Sequence, residues 1–185
     1  MGRAMRRLTA AAAIAVLVVP LSLALPKTSA GSETQSVPGS VSSDFTPEFS
    51  AAYLEVWRAL REATTTHQNY DQAVYHAPVS DSQGGSRVQS QSEEAIMSME
   101  SVANMAIVYV NVKSDEDRAF VKSRLIDEVH RHSGLIRFDL AEINIALSEM
   151  RSPALIGETK HLRDVIQGEA DALDSFGRVI NEPKQ

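Results

Sequence analysis

Residues 102–112 read Val102-Ala103-Asn104-Met105-Ala106-Ile107-Val108-Tyr109-Val110-Asn111-Val112, and the choice between strand and helix here decides the fold. The β-branched and aromatic run Ile107–Val112 would pass as a buried strand. A strand, however, must hand its backbone hydrogen bonds to a neighbour, and no second strand exists in this chain to pair with it. The stretch therefore reads as the end of a helix running from about Val88 to Val112, with Ile96, Met99, Ala103, Ala106 and Val110 on one face.

On both sides the pattern is helical. Downstream, Ser114-Asp115-Glu116-Asp117 is a helix cap with acids in the first turn, where the helix dipole favours them. The helix continues to about Met150, with Ile126, Val129, Ser133, Ile136, Leu140, Ile143, Leu147 and Met150 turned inward. Ser152-Pro153 starts the last helix, whose stripe is Leu155, Thr159, Leu162, Ile166, Glu169, Leu173, Phe176 and Ile180. Upstream, Ser80–Ser86 holds Asp81, Gly84 and Gly85 and reads as a loop. Before it, Thr46-Pro47-Glu48 opens a helix carrying Phe49, Tyr53, Val56, Leu60, Ala63, His67, Tyr70 and Val74 and ending before Pro78. Four helices joined by short turns predict an all-α, antiparallel up-down-up-down four-helix bundle over residues 46–182. There is no internal repeat.

Residues 1–30 carry a basic head (Arg3, Arg6, Arg7), an apolar run Leu8–Leu25 and the small residues Thr28-Ser29-Ala30. That layout is a secretory signal peptide, with the mature chain starting near Gly31. An uncleaved anchor is the competing reading, but the run is at the lower limit for spanning a bilayer and Pro20 interrupts it. Arg6-Arg7 gives only a weak twin-arginine signal. Residues 31–45, rich in Ser, Gly, Pro and Thr, read as a flexible linker. The expected location is periplasmic or extracellular.

Composition narrows the function. The leader holds four positive charges and no acid, so its removal takes the formal charge from -6 to -10. So acidic a chain, with no run of four Lys/Arg, argues against nucleic acid and anionic lipid as partners. Cysteine is absent, which removes a lipobox lipid anchor, thioether-bound haem, a thiol nucleophile and a thiolate metal site. There is no Asn-x-Ser/Thr acceptor. Gly-x-Ser-x-Gly, phosphate-loop, Gly-x-Gly-x-x-Gly and His-Glu-x-x-His motifs are missing, as is any grouping of nucleophile, base and orienting residue. The alternating charges Glu158, Lys160, Arg163, Asp164, Asp171, Asp174 and Arg178 form a solvated face.

Three inward stripes carry a polar misfit: His67, Ser133 and Glu169. At ~1.5 Å rise per residue each falls roughly 27–30 Å along the bundle, with Ser92 of the second helix near the same level. One polar layer follows, with a His67–Glu169 hydrogen bond that fixes helix register. The functional alternative is a metal ion, non-covalent haem or other small molecule held by His67 and Glu169, with Met99 nearby; one histidine and one carboxylate are few ligands for a metal. The inward Glu-x-x-His pairs of ferritin-like bundles are matched only by Glu158/His161, with His161 pointing outward, and by the Asp127/His130 variant. His130 and His132, about 200° apart on a helix, read as a solvated pair. Ser133-Gly134 reads as a place of close helix approach or bending. Trp57 and the surplus apolar surface of the second helix (Met97, Met105, Val108) leave room for a protein partner or a homo-dimer face. The expectation is an exported, non-enzymatic interaction module (scaffold or chaperone-like), without lipid anchor or membrane insertion and with no cofactor; a core ligand site is the alternative.

Overall fold

Thr46, Ser114 and Ser152 each stand where a helix begins, and each satisfies a backbone N–H that the first turn leaves without a partner. Thr46 Oγ1 accepts from Phe49 N at 3.1 Å, Ser114 Oγ from Asp117 N at 3.2 Å and Ser152 Oγ from Leu155 N at 3.5 Å. Pro47 and Pro153 occupy first helical positions, where no N–H is needed. The computed structural model describes residues 46–182. Among them the helices are α1 (Pro47–Tyr75), α2 (Ser82–Asn111), α3 (Asp115–Glu149) and α4 (Pro153–Asn181), with a 3-10 turn at Val79–Asp81 and no strand. Residues 102–111 are helical, as their lack of a pairing partner requires. The signal peptide expected over 1–30 and the linker expected over 31–45 lie outside the described residues.

The loop expected at 80–86 is a correction. Residues 82–86 are the first turn of α2, and Gly84 and Gly85 serve packing rather than a turn. A Cβ on Gly85 would lie 3.1 Å from both methyls of Val74 and 3.6 Å from Leu155; one on Gly84 would meet Met150 at 3.5 Å. Missing side chains let the neighbouring helices close over this end of α2. Asp81, read only as a loop residue, is buried and receives Arg151 N at 3.1 Å and Ser152 N at 2.6 Å. It ties the start of α2 to the α3–α4 turn.

Every member of the α4 stripe, Leu155 to Ile180, is buried. Fully buried Leu162, Ile166 and Leu173 each contribute roughly 1.5–3 kcal/mol. Phe49 brings α1, α2 and α4 together, with ring centroids 5.7 Å from Tyr109 and 5.6 Å from Phe176. On α2 the inner face is rotated slightly from the expected one: Ala95, Val102 and Tyr109 join Met99, Ala103 and Ala106, while Val110 is exposed. Hydrogen bonds cross each neighbouring pair of helices: Gln89–Asp71, Arg87–Glu142, Ser133–Asp174 and Tyr70–Thr159. No helix among the described residues is long and apolar enough to cross a membrane.

Candidate functional site

His67 and Glu169 face the core as expected, but they do not meet. His67 Nδ1 lies 2.8 Å from Ser92 Oγ. The same hydroxyl lies 2.8 Å from the Val88 carbonyl and 3.0 Å from that of Gln89. On the other side of the ring, Nε2 is 3.7 Å from Asp71 Oδ1, and that carboxylate oxygen also accepts from Gln89 Nε2. His67 is thus held by α1 and α2.

Glu169 is 0% exposed, and neither carboxylate oxygen has a hydrogen-bond partner among the described residues. Burial alone pushes its pKa well above the usual carboxylate range. Among the described residues no cation offsets that desolvation. The expected His67–Glu169 hydrogen bond is therefore corrected, and helix register supplies the reason. Val74 and Leu155 both flank Gly85, and Tyr70 Oη meets Thr159 Oγ1 at 3.0 Å, so both pairs are level. His67 lies seven residues from Val74 and Glu169 fourteen from Leu155, placing them roughly 10 Å and 21 Å from that level. Two helical turns separate them. The single-layer estimate assumed that the helices share a baseline, but α3 has 35 residues against 29 for α1 and α4.

Ser133 departs from the layer too. Its hydroxyl donates to Asp174 Oδ1 at 2.7 Å, and Arg137 pairs with the other oxygen of the same carboxylate. Asp174 lies five residues beyond Glu169 on α4. The buried polar groups are spread along the bundle as separate pairs: Tyr70 with Thr159, His67 with Ser92, Ser133 with Asp174. Burial pushes the Tyr70 phenol up to about 12. Next to the Ser133–Asp174 pair, Val129, His130, Asp171 and Gly177 help line an open groove of about 540 Å³ between α3 and α4.

Two buried acid–base groups were not found from sequence. Asp139 is 3% exposed, and burial with the nearby Glu94 carboxylate raises its pKa to about 6. Its place on α3, four residues before Ile143 and three after Ile136, was the available signal. His132 is buried, which corrects the solvated His130/His132 pair; only His130 is exposed. His132 Nε2 lies 3.0 Å from Glu128 Oε2, Nδ1 has no partner among the described residues, and burial lowers its pKa.

The ferritin-like pattern does not assemble. Glu158, His161, Asp127 and His130 are all exposed, and no cluster of three His, Cys, Asp or Glu suited to a metal occurs among the described residues. Gly134 has nothing within 4 Å of a built Cβ, so it mediates no close approach among the described residues.

Outside the core, α3 carries exposed apolar side chains: Leu135 (46%), Phe138 (60%) and Ile145 (44%), with Phe120 (64%) a few turns earlier. On α2, Met97 and Val108 remain exposed, whereas Met105 and Trp57 are half-buried against the core. No family model matches the chain, and neither a curated protein nor a solved structure is matched by it.

Proposed function

We propose that the chain is an exported, periplasmic or extracellular helical bundle that works by binding another protein, as a scaffold or chaperone-like module, and not by catalysis. We take its topology to be antiparallel up-down-up-down. Supporting that topology, partners on adjacent helices run in opposite numerical order: His67 with Ser92 but Asp71 with Gln89, and Phe49 with Phe176 but Tyr70 with Thr159.

The observation that carries the binding reading is the exposed Leu135-Phe138-Ile145 face of α3. Large apolar side chains grouped on one helix face mark interaction surfaces more often than scattered single ones do. The test is a photo-crosslinking residue at Phe138, with one at exposed Lys160 of α4 as control, in the compartment that holds the protein. Discrete adducts from position 138 and none from 160 are expected. A chain that crosslinks from neither position is not a binding module of this kind.

Glu169 favours a second reading, a small molecule, haem or metal ion taken up in the core. Its carboxyl would carry such a site, since His67 is committed to Ser92. Metal analysis and a visible spectrum of untagged protein test it, with His67→Ala and Glu169→Ala as variants. A colourless, metal-free protein ends the haem and metal-ion forms of this reading.

A further inference from the structure

We infer that the partner for the α3 face is a second copy of this chain, paired antiparallel about a two-fold axis near Ile136 and Arg137. This deepens the binding reading above and rests on it.

The ordering of residues along the exposed face carries the inference. Positions 124, 131, 138 and 145 are seven apart, as are 128, 135, 142 and 149, and the two series alternate at spacings of three and four. That is the a/d pattern of a helix–helix seam, and it lies outside the inner register of Val129, Ile136 and Ile143. Its centre is apolar (Leu135, Phe138), its N-terminal half carries Arg124 and Arg131 on either side of Glu128, and its C-terminal half carries Glu142 and Glu149 on either side of Ile145.

An antiparallel two-fold pair requires each residue to face one equally far on the other side of the axis. About a point between residues 136 and 137, Leu135 is matched with Phe138, Arg131 with Glu142 and Arg124 with Glu149. In these three pairings apolar meets apolar and base meets acid, each twice per dimer. A parallel pair would instead set Arg against Arg and Glu against Glu.

Exposure permits the contact. Phe138 and Leu135 are 60% and 46% exposed, and the Arg131 and Glu149 side chains are 62% and 61% exposed. Glu142 already receives Arg87 at 2.6 Å, and Arg87 stands 3.9 Å from Glu149, which holds the acidic half in place before a partner arrives. Arg124 lies over the Phe120 ring, 5.6 Å from its centroid, and extends the basic half. Ile145 falls opposite Glu128 of the partner, the one poor match; that carboxylate is taken up by Arg131 and His132 of its own chain. Exposed charge pairs add little affinity but fix orientation. The central Phe138 and Leu135 rings of contact supply most of the binding.

Sedimentation equilibrium of the purified protein over a wide concentration range provides the test. A reversible dimer is expected, and Phe138→Ser weakens it by roughly tenfold or more. Arg124→Glu and Glu149→Arg each weaken it, since each places like charges together at two symmetric positions. The double variant Arg124→Glu/Glu149→Arg regains the dimer, a rescue that loss of folding would not produce. Circular dichroism of each variant confirms intact helix, and Met97→Ser on α2 serves as an exposed apolar control. A monomer at every concentration, a dimer indifferent to Phe138→Ser, or a double variant no better than the singles overturns the inference. If the protein is monomeric yet Phe138 crosslinks to a different protein, the second copy is wrong and the binding reading survives; if it does neither, both fall.

Discussion

Replacing Glu169 by Gln is expected to stabilise the protein near neutrality and to abolish a pH dependence that the native residue imposes. In the unfolded chain this carboxyl ionises near its ordinary value of 4.5, while in the folded core, fully buried and without a hydrogen-bond partner among the described residues, it keeps its proton to higher pH. The folded state therefore binds more protons over that window. The resulting stability is fully present below pH 4.5 and is lost as pH rises toward the folded value. The loss grows with every pH unit across that window, at the slope of one proton per unit, and stops growing at the folded value. Gln keeps the shape and never ionises. Urea denaturation of both proteins at a series of pH values from 4.5 upward measures the difference. Contributions from Asp139, His132 and Glu128 are common to both proteins and cancel in it. The difference should widen with that slope and level off at the folded pKa. A difference independent of pH would refute the reasoning, because Glu169 would then ionise in the folded protein as it does in water. Glu169→Leu, which also removes the buried polar group, should be at least as stable as Glu169→Gln. A cation resident on the carboxylate would reverse both signs.

Asp139 should titrate near pH 6 by carboxyl-carbon NMR, and Glu94→Gln should move it downward by removing the neighbouring negative charge. Asp81→Ala leaves the Arg151 and Ser152 amides without their acceptor, and a loss of about 1–3 kcal/mol in chemical denaturation is expected; an unchanged midpoint would mean that the α3–α4 turn holds itself. Gly177→Ala places a Cβ 2.9 Å from Val129 Cγ1 and should cost about 1–3 kcal/mol, most of it recovered when Val129→Ala is added. Tyr70→Phe removes the hydroxyl that meets Thr159 and should cost about 1 kcal/mol, read as a lower thermal midpoint.

Caps and stripes were legible in the sequence because each is a local fact. Ser114, Ser152 and Thr46 need only the residues that follow them, and the α4 stripe repeats at one helical period without interruption. The start of α2 was not legible, since Gly84 and Gly85 look the same whether they free a turn or admit a neighbouring helix; only Val74 and Met150, distant in sequence, decide between the two. Inward orientation of His67 and Glu169 could be read from periodicity. Their separation depended on where each helix begins relative to the others, a property of three turns together. Asp139 and His132 were hidden because α3 was assigned one narrow stripe, whereas its buried face also takes in Leu125, His132, Asp139 and Ala146.

That breadth bears on what the protein does. α3 is the longest described helix and the least amphipathic of the four, although it buries Leu125, Val129, Ile136, Leu140, Ile143 and Ala146 in the core. Its amphipathicity is low because apolar residues stand on the outside too, at Phe120, Leu135, Phe138 and Ile145, while polar ones stand inside, at His132, Ser133 and Asp139. A helix selected only to complete a four-helix core would resemble α4, apolar within and charged without. Burying acids and a histidine costs stability, and exposing phenylalanine invites association. Folding alone accounts for neither feature. The outer apolar residues are explained under the proposal that α3 serves a second seam, with the heptad order of charges around Leu135 and Phe138 as part of it; the buried polar residues face the bundle and are not explained by that seam.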